Sequence, residues 1–153
     1  IYWRVSSLLM ITVYLMIPGW AFGYLSGLLA RVLIPVSLWF WADINEDLID
    51  QPQRPLKFVF MAWRWAVTVY SVLGAIANLP FFACAFSEEF QQQPYCQVWL
   101  EAPQLYKEWF HPNSTASFLG ILGMMGLVLY VASLAYFVIV RLAKEGRTAM
   151  QED

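Results

Sequence analysis

The sequence predicts an all-α integral membrane protein of about four transmembrane helices, with an amphipathic segment lying in the interface plane between the third and the fourth. Composition is the first reason. Of 153 residues, 60% are hydrophobic and 13% charged, and the mean hydropathy is +0.54. Soluble domains run at roughly half apolar and about a quarter charged, so the surplus must face lipid or neighbouring subunits. The second reason is run length. A helix crossing the hydrocarbon core needs about 20 apolar residues, and runs near that length fall at roughly 1–17, 22–41, 58–82 and 117–140. Aromatic residues, 18% of the chain with eight Trp among them, suit the two membrane–water interfaces.

The first run opens at Ile1, already apolar, so the chain reads as part of a longer protein whose N-terminal part is missing. No small-residue cleavage site follows it, which argues against a signal peptide. Pro18-Gly19 should break the run into a tight hairpin. The second run is interrupted by Arg31 and Pro35, and Pro80 should end the third. The fourth is the most uniformly apolar. Strands of a membrane barrel would be about ten residues long with strict alternation, a pattern these runs lack.

Connection 42–57 is acidic and then rich in proline. Connection 83–116 carries both cysteines and too many apolar residues (Val98, Trp99, Leu105, Trp109 and Phe110 among them) to stand free in water, hence the interfacial helix. Basic residues set the orientation. Arg4, the group Arg54, Lys57 and Arg64, and the group Arg141, Lys144 and Arg147 mark one side, whereas 83–116 holds Lys107 as its single base. Lys and Arg accumulate on the cytoplasmic side. The C-terminus is therefore expected there, and 83–116 in the periplasm or lumen. Arg64, close to that surface, is expected to snorkel. Trp-Arg pairs at Trp3-Arg4 and Trp63-Arg64 read as belts on that side rather than as a duplication.

Arg31 stands out chemically. An arginine inside a span costs about 2.5–3.5 kcal/mol on insertion scales, so it is expected to reach the interface, pair with a partner subunit, or hold an anionic lipid, cofactor or substrate group. Asp43, Glu46, Asp47 and Asp50 recur at helical spacing and form one acidic face. The calcium-loop pattern fails, since Leu48 stands where glycine is required and Arg54 where the bidentate glutamate belongs. Paired Glu-x-x-His motifs of di-iron bundles are absent from the sequence. Cys84 and Cys96, on the oxidising side and a dozen residues apart, are expected to bond. The single histidine, His111, shows no orienting pattern beside either cysteine. No span contains histidine, which disfavours haem and histidine-held chlorophyll; Asn78 could ligate a pigment, and aromatic grooves could take carotenoid or lipid. Gly19, Gly23 and Gly27, and later Gly120 and Gly123, form small-residue stripes of the kind that let helices approach closely. At least one stripe is expected to face another polypeptide, a pigment or a lipid.

The run LLARVLIPVSLWFWADINEDLIDQP, followed by WRWAVTVY and CQVWLEAPQLYKEWF, resembles a cyanobacterial family of small multi-pass membrane proteins of unknown function. The resemblance implies a photosynthetic bacterium and a thylakoid or plasma membrane, and brings no catalytic residues. Together these readings point to a non-catalytic accessory subunit or assembly factor of a larger membrane complex, a photosynthetic one, in contact with lipids and other subunits and not with nucleic acid. The alternative is a small transporter or channel component using Arg31 and the acidic 43–50 face. An enzyme ranks third, because no nucleophile–base pair appears at suitable spacing.

Overall fold

A computed structural model describes residues 2–50 and 55–147. Arg54 and the side chains of Arg4 and Asp43, which the sequence reading uses, lie outside the described residues. Among those described, every regular element is helical: α1 (Tyr2–Met16), α2 (Ala21–Trp39), α3 (Ala42–Asp50), α4 (Pro55–Asn78), α5 (Glu88–Gln91), α6 (Pro94–Phe110), α7 (Ala116–Tyr136) and α8 (Leu142–Glu145). A 3-10 turn, Pro80–Ala85, follows α4, and a π-helical segment, Phe137–Arg141, joins α7 to α8.

Three helical stretches are long and apolar enough to cross a membrane: α2, α4 and the continuous stretch Ala116–Lys144. The first run gives a shorter apolar helix, Val5–Met16. The third run does not continue to 82 as one α-helix. It ends at Asn78, and Pro80, which lacks an N–H, starts the 3-10 turn. In α2 the helix runs on through Pro35, so proline there does not divide the span. The interfacial segment of the sequence reading corresponds to α6.

Packing places α1 between α2 and α7, and α2 between α1 and α4, in the order α7–α1–α2–α4. This is a row rather than a closed bundle, and glycines explain its inner contacts. A Cβ on Gly23 would sit 3.2 Å from the Met16 backbone nitrogen and 3.3 Å from the Leu15 carbonyl carbon; one on Gly27 would sit 3.2 Å from Thr12. From the other side, a Cβ on Gly123 would meet the Leu15 nitrogen at 3.1 Å, and one on Gly120 the rings of Pro18 and Trp20. Both stripes therefore press on α1 and its turn from opposite sides. This corrects the expectation that one of them faces another polypeptide, pigment or lipid: α1 is itself the close neighbour that both faces accommodate. Gly19 belongs to neither stripe. It forms the α1–α2 turn at φ +75, a conformation that favours glycine, with Leu100 of α6 nearby.

One end of the row is capped. Cys84 and Cys96, both buried, are joined by a disulfide with their Cα atoms 6.1 Å apart, which ties the 3-10 turn to α6. Phe81 stacks on Trp99 with ring centroids 4.8 Å apart. Gln104 Nε2 donates to the Ile17 carbonyl at 2.6 Å, and Tyr14 Oη lies 2.9 Å from His111 Nε2, so α6 is fastened over the α1–α2 turn. At the opposite end the chain beyond α7 returns to the α2–α3 junction. Phe137 packs edge-on to Trp41, and Arg147 Nε donates to the Phe40 carbonyl at 2.8 Å.

Candidate functional site: a capped cavity at Arg31

A helical side chain leans toward its helix N-terminus. Arg31, midway along α2, therefore reaches toward the capped end. Its guanidinium carbon lies 5.7 Å from the centroid of the Trp99 ring. Gly74 of α4 makes room for it, since a Cβ there would come within 2.7 Å of Arg31 Nε. Nη1 donates to the Gly27 carbonyl at 3.5 Å, the long limit of a hydrogen bond. Among the described residues no carboxylate pairs with this cation.

Arg31 lines a cavity of about 330 Å³. The floor is the face of α2 that carries Gly23, Gly27 and Arg31; α1 supplies Thr12 on one side, α4 supplies Asn78 on the other, and the capping segment roofs it with Phe81 and Trp99. Two further polar groups enter. Tyr24 is 5% exposed and Asn78 7%. Tyr24 Oη and Asn78 Oδ1 are both buried without a hydrogen-bond partner. Thr12, in contrast, is satisfied: its hydroxyl donates to the Leu8 carbonyl at 2.7 Å and lies 3.0 Å from Ser26 Oγ. The cavity thus presents a cation between aromatic walls, and two of the residues that line it, Tyr24 and Asn78, carry buried oxygens with unmet hydrogen-bonding capacity.

Arg31 and Asn78, singled out separately in the sequence, meet in this one cavity. The acidic residues do not join them. They lie on α3, beyond the far end of α2, and α2 alone runs about 12 Å from Arg31 to Trp39 at the helical rise of about 1.5 Å per residue. Glu46, Asp47 and Asp50 are exposed there, and no group of three or more His, Cys, Asp or Glu among the described residues is placed to hold a metal. Sequence reasoning missed Tyr24, Gly74 and Trp99. Their signal was spacing: Tyr24, Gly27 and Arg31 recur on one face of α2, as Gly74 and Asn78 do on α4.

Arg64 needs a correction. It does not snorkel to the surface but is 4% exposed. Nη1 donates to Asn45 Oδ1 of α3, Nη2 contacts Met61 Sδ at 3.3 Å, and the guanidinium carbon sits 3.9 Å from the Trp39 ring centroid. Asn45 in turn donates to the carbonyls of Trp39 at 3.1 Å and Trp41 at 2.7 Å. The set is a clasp holding α3 across α2 and α4. The acceptor from α3 is what allows the arginine to stay inside.

A family model described as "protein of unknown function (DUF3177)" matches residues 1–150, and the chain belongs to that family. No curated protein and no solved structure matches it.

Proposed function

We propose that this family member is a non-catalytic accessory subunit or assembly factor of a larger membrane complex. The supporting observation is Tyr70. It lies near the middle of α4, a helix of 24 residues and so about 36 Å long, and it is 70% exposed with no hydrogen-bond partner among the described residues. The side chain leans toward the N-terminal end of α4, hence toward mid-membrane rather than toward the nearer interface. A hydroxyl left unpartnered in hydrocarbon costs on the order of 2 kcal/mol. A neighbouring helix that accepts its proton removes that cost. The row arrangement supports the same reading: 11% of the apolar window of α4 is buried, against 33% for α2. Basic residues and the disulfide support a cytoplasmic C-terminus and a periplasmic or lumenal cap. The family resemblance supports a photosynthetic complex in a cyanobacterial thylakoid or plasma membrane.

Purification in mild detergent tests this reading. The protein should co-migrate with a large assembly, and Tyr70→Leu should release it while leaving it inserted. Migration of the unaltered protein at the mass of a monomer or small homo-oligomer refutes the reading. The second reading, a small transporter or channel component, draws support from the Arg31 cavity and from glycine stripes already used within the chain; that same migration would favour it. The distance between Arg31 and the α3 acids counts against the two acting as one site.

A further inference from the structure

We infer that the Arg31 cavity holds a hydroxyl-bearing anion, a phosphate ester or a sulfonate, of the kind found in the head group of an acidic lipid. The inference stands on the cavity alone and does not depend on the docking face of α4.

Three observations carry it. The first is charge. Arg31 lies within a span, where an ionised side chain demands a counter-charge or a water path, and no carboxylate lines the cavity. The Gly27 carbonyl, at 3.5 Å, and the Trp99 ring, at 5.7 Å, leave most of its five N–H donors unused. A phosphate or sulfonate oxygen pair matches the guanidinium fork.

The second is the pair of unpartnered buried groups, Tyr24 Oη and Asn78 Oδ1. A phenolic hydroxyl can donate to an anionic oxygen, and an amide oxygen can accept from an alcohol. Both residues line the cavity, and a rotation of each side chain that brings its oxygen to the cavity wall lets one molecule bearing both an anion and hydroxyls satisfy all three side chains. Water could satisfy the two neutral groups but would leave the charge of Arg31 unbalanced.

The third is shape. At about 330 Å³ the cavity lies at the low end of small-molecule sites, about 300–1,000 Å³. That suits a head group and is too small for a tetrapyrrole with its tail. Beyond the polar groups the wall of α1 becomes apolar at Val13 and Leu9, leading away from the cap along the groove over α2. Acyl chains can follow that wall while the head group stays under Trp99.

The bilayer and the aqueous phase both supply anions of this chemistry, and two probes separate these sources. Lipid-stripped protein is first offered equal phosphatidylglycerol and phosphatidylcholine in mild detergent, and retained lipid is counted by native mass spectrometry. One phosphatidylglycerol should be kept with at least about tenfold preference, the scale of one charge-assisted contact, and Arg31→Gln should abolish the preference. Tyr24→Phe, which removes one hydroxyl and is the gentler change, should weaken retention by roughly three- to tenfold. The second probe is sn-glycerol 3-phosphate. Binding of this solute, lost in Arg31→Gln, without retention of the lipid would assign the site to a soluble ester of the same chemistry. Equal retention of both lipids together with no effect of glycerol phosphate, or preference unchanged in both variants, would overturn the inference.

Discussion

Arg31 in α2 and Arg64 in α4 both lie inside spans and against tryptophan, with neither facing a carboxylate among the described residues, yet their surroundings differ. Arg64 is enclosed: Asn45, Met61 and Trp39 surround it, and it is 4% exposed. Arg31 faces a cavity and has one long hydrogen bond to a backbone carbonyl. A buried charge is tolerable when its hydrogen bonds are met and costly when they are not. Arg64 is held on both terminal nitrogens, by Asn45 and Met61, with its Nε alone buried and unpartnered, whereas Arg31 has a single long bond to a backbone carbonyl. Arg64 belongs to the fold, and Arg31 to whatever the cavity receives.

Substituting each arginine is the sharpest way to break the contrast. Arg64→Ala removes a packed side chain and leaves Asn45 Oδ1 without its donor, so it should cost about 3 kcal/mol. In lipid-stripped protein Arg31→Ala should cost less than about 1 kcal/mol, since little is lost. Unfolding in detergent followed by tryptophan fluorescence reads both, and equal losses would erase the distinction.

Reduction of Cys84–Cys96 comes next. Freeing a loop with a sequence separation of 12 should lower stability by about 3 kcal/mol. The effect should be local: amide exchange should speed up in α6 while α3 and the Arg64 clasp keep their protection. Matched acceleration at both ends would mean that the two regions are not independent.

Glycine substitutions probe the same difference through packing. Gly23→Ala places a methyl group against α1 backbone, which cannot yield as a side-chain tip can, and should cost about 2 kcal/mol. For Gly74→Ala the three nearest atoms all belong to the flexible Arg31 side chain, its Cδ and guanidinium. The thermal midpoint of this variant should scarcely move, but its retention of phosphatidylglycerol should fall. A large stability loss there would show that Arg31 is held as firmly as Arg64. At the cap, Tyr14→Phe loses the contact with His111 and should cost about 1 kcal/mol; a neutral result would leave the cap fastened by Gln104 and the disulfide.

The apolar helices were legible because run length and proline–glycine breaks are local properties. Pro18-Gly19 falls in the α1–α2 turn, and Pro80 opens the 3-10 turn. The cysteine pairing was expected from their shared connection, and the structure bonds them. What the sequence hid is the direction in which a face points. Nothing in Gly23 or Gly123 says whether the close neighbour is α1 or another chain. Arg64 was misread for a related reason: its position near a helix end suggested an escape to the surface, while the acceptor that keeps it inside, Asn45, lies on another helix. Arg31 and Asn78 were visible singly, but their meeting depends on α1 and α4 flanking α2.

The place of α1 in the row also sets a timetable for synthesis. One side of α1 is covered as soon as α2 follows it through the Gly19 turn. The other side waits for Gly120 and Gly123 of α7, roughly a hundred residues later. At about 5–20 residues per second, that side stays open for something like 5–20 seconds in every nascent chain. During that interval Ile11, Tyr14 and Leu15 present a surface shaped for glycines that have not yet been made. Any other small-faced helix in the membrane can compete for it, and the finished α7 has to displace that competitor before the row is complete.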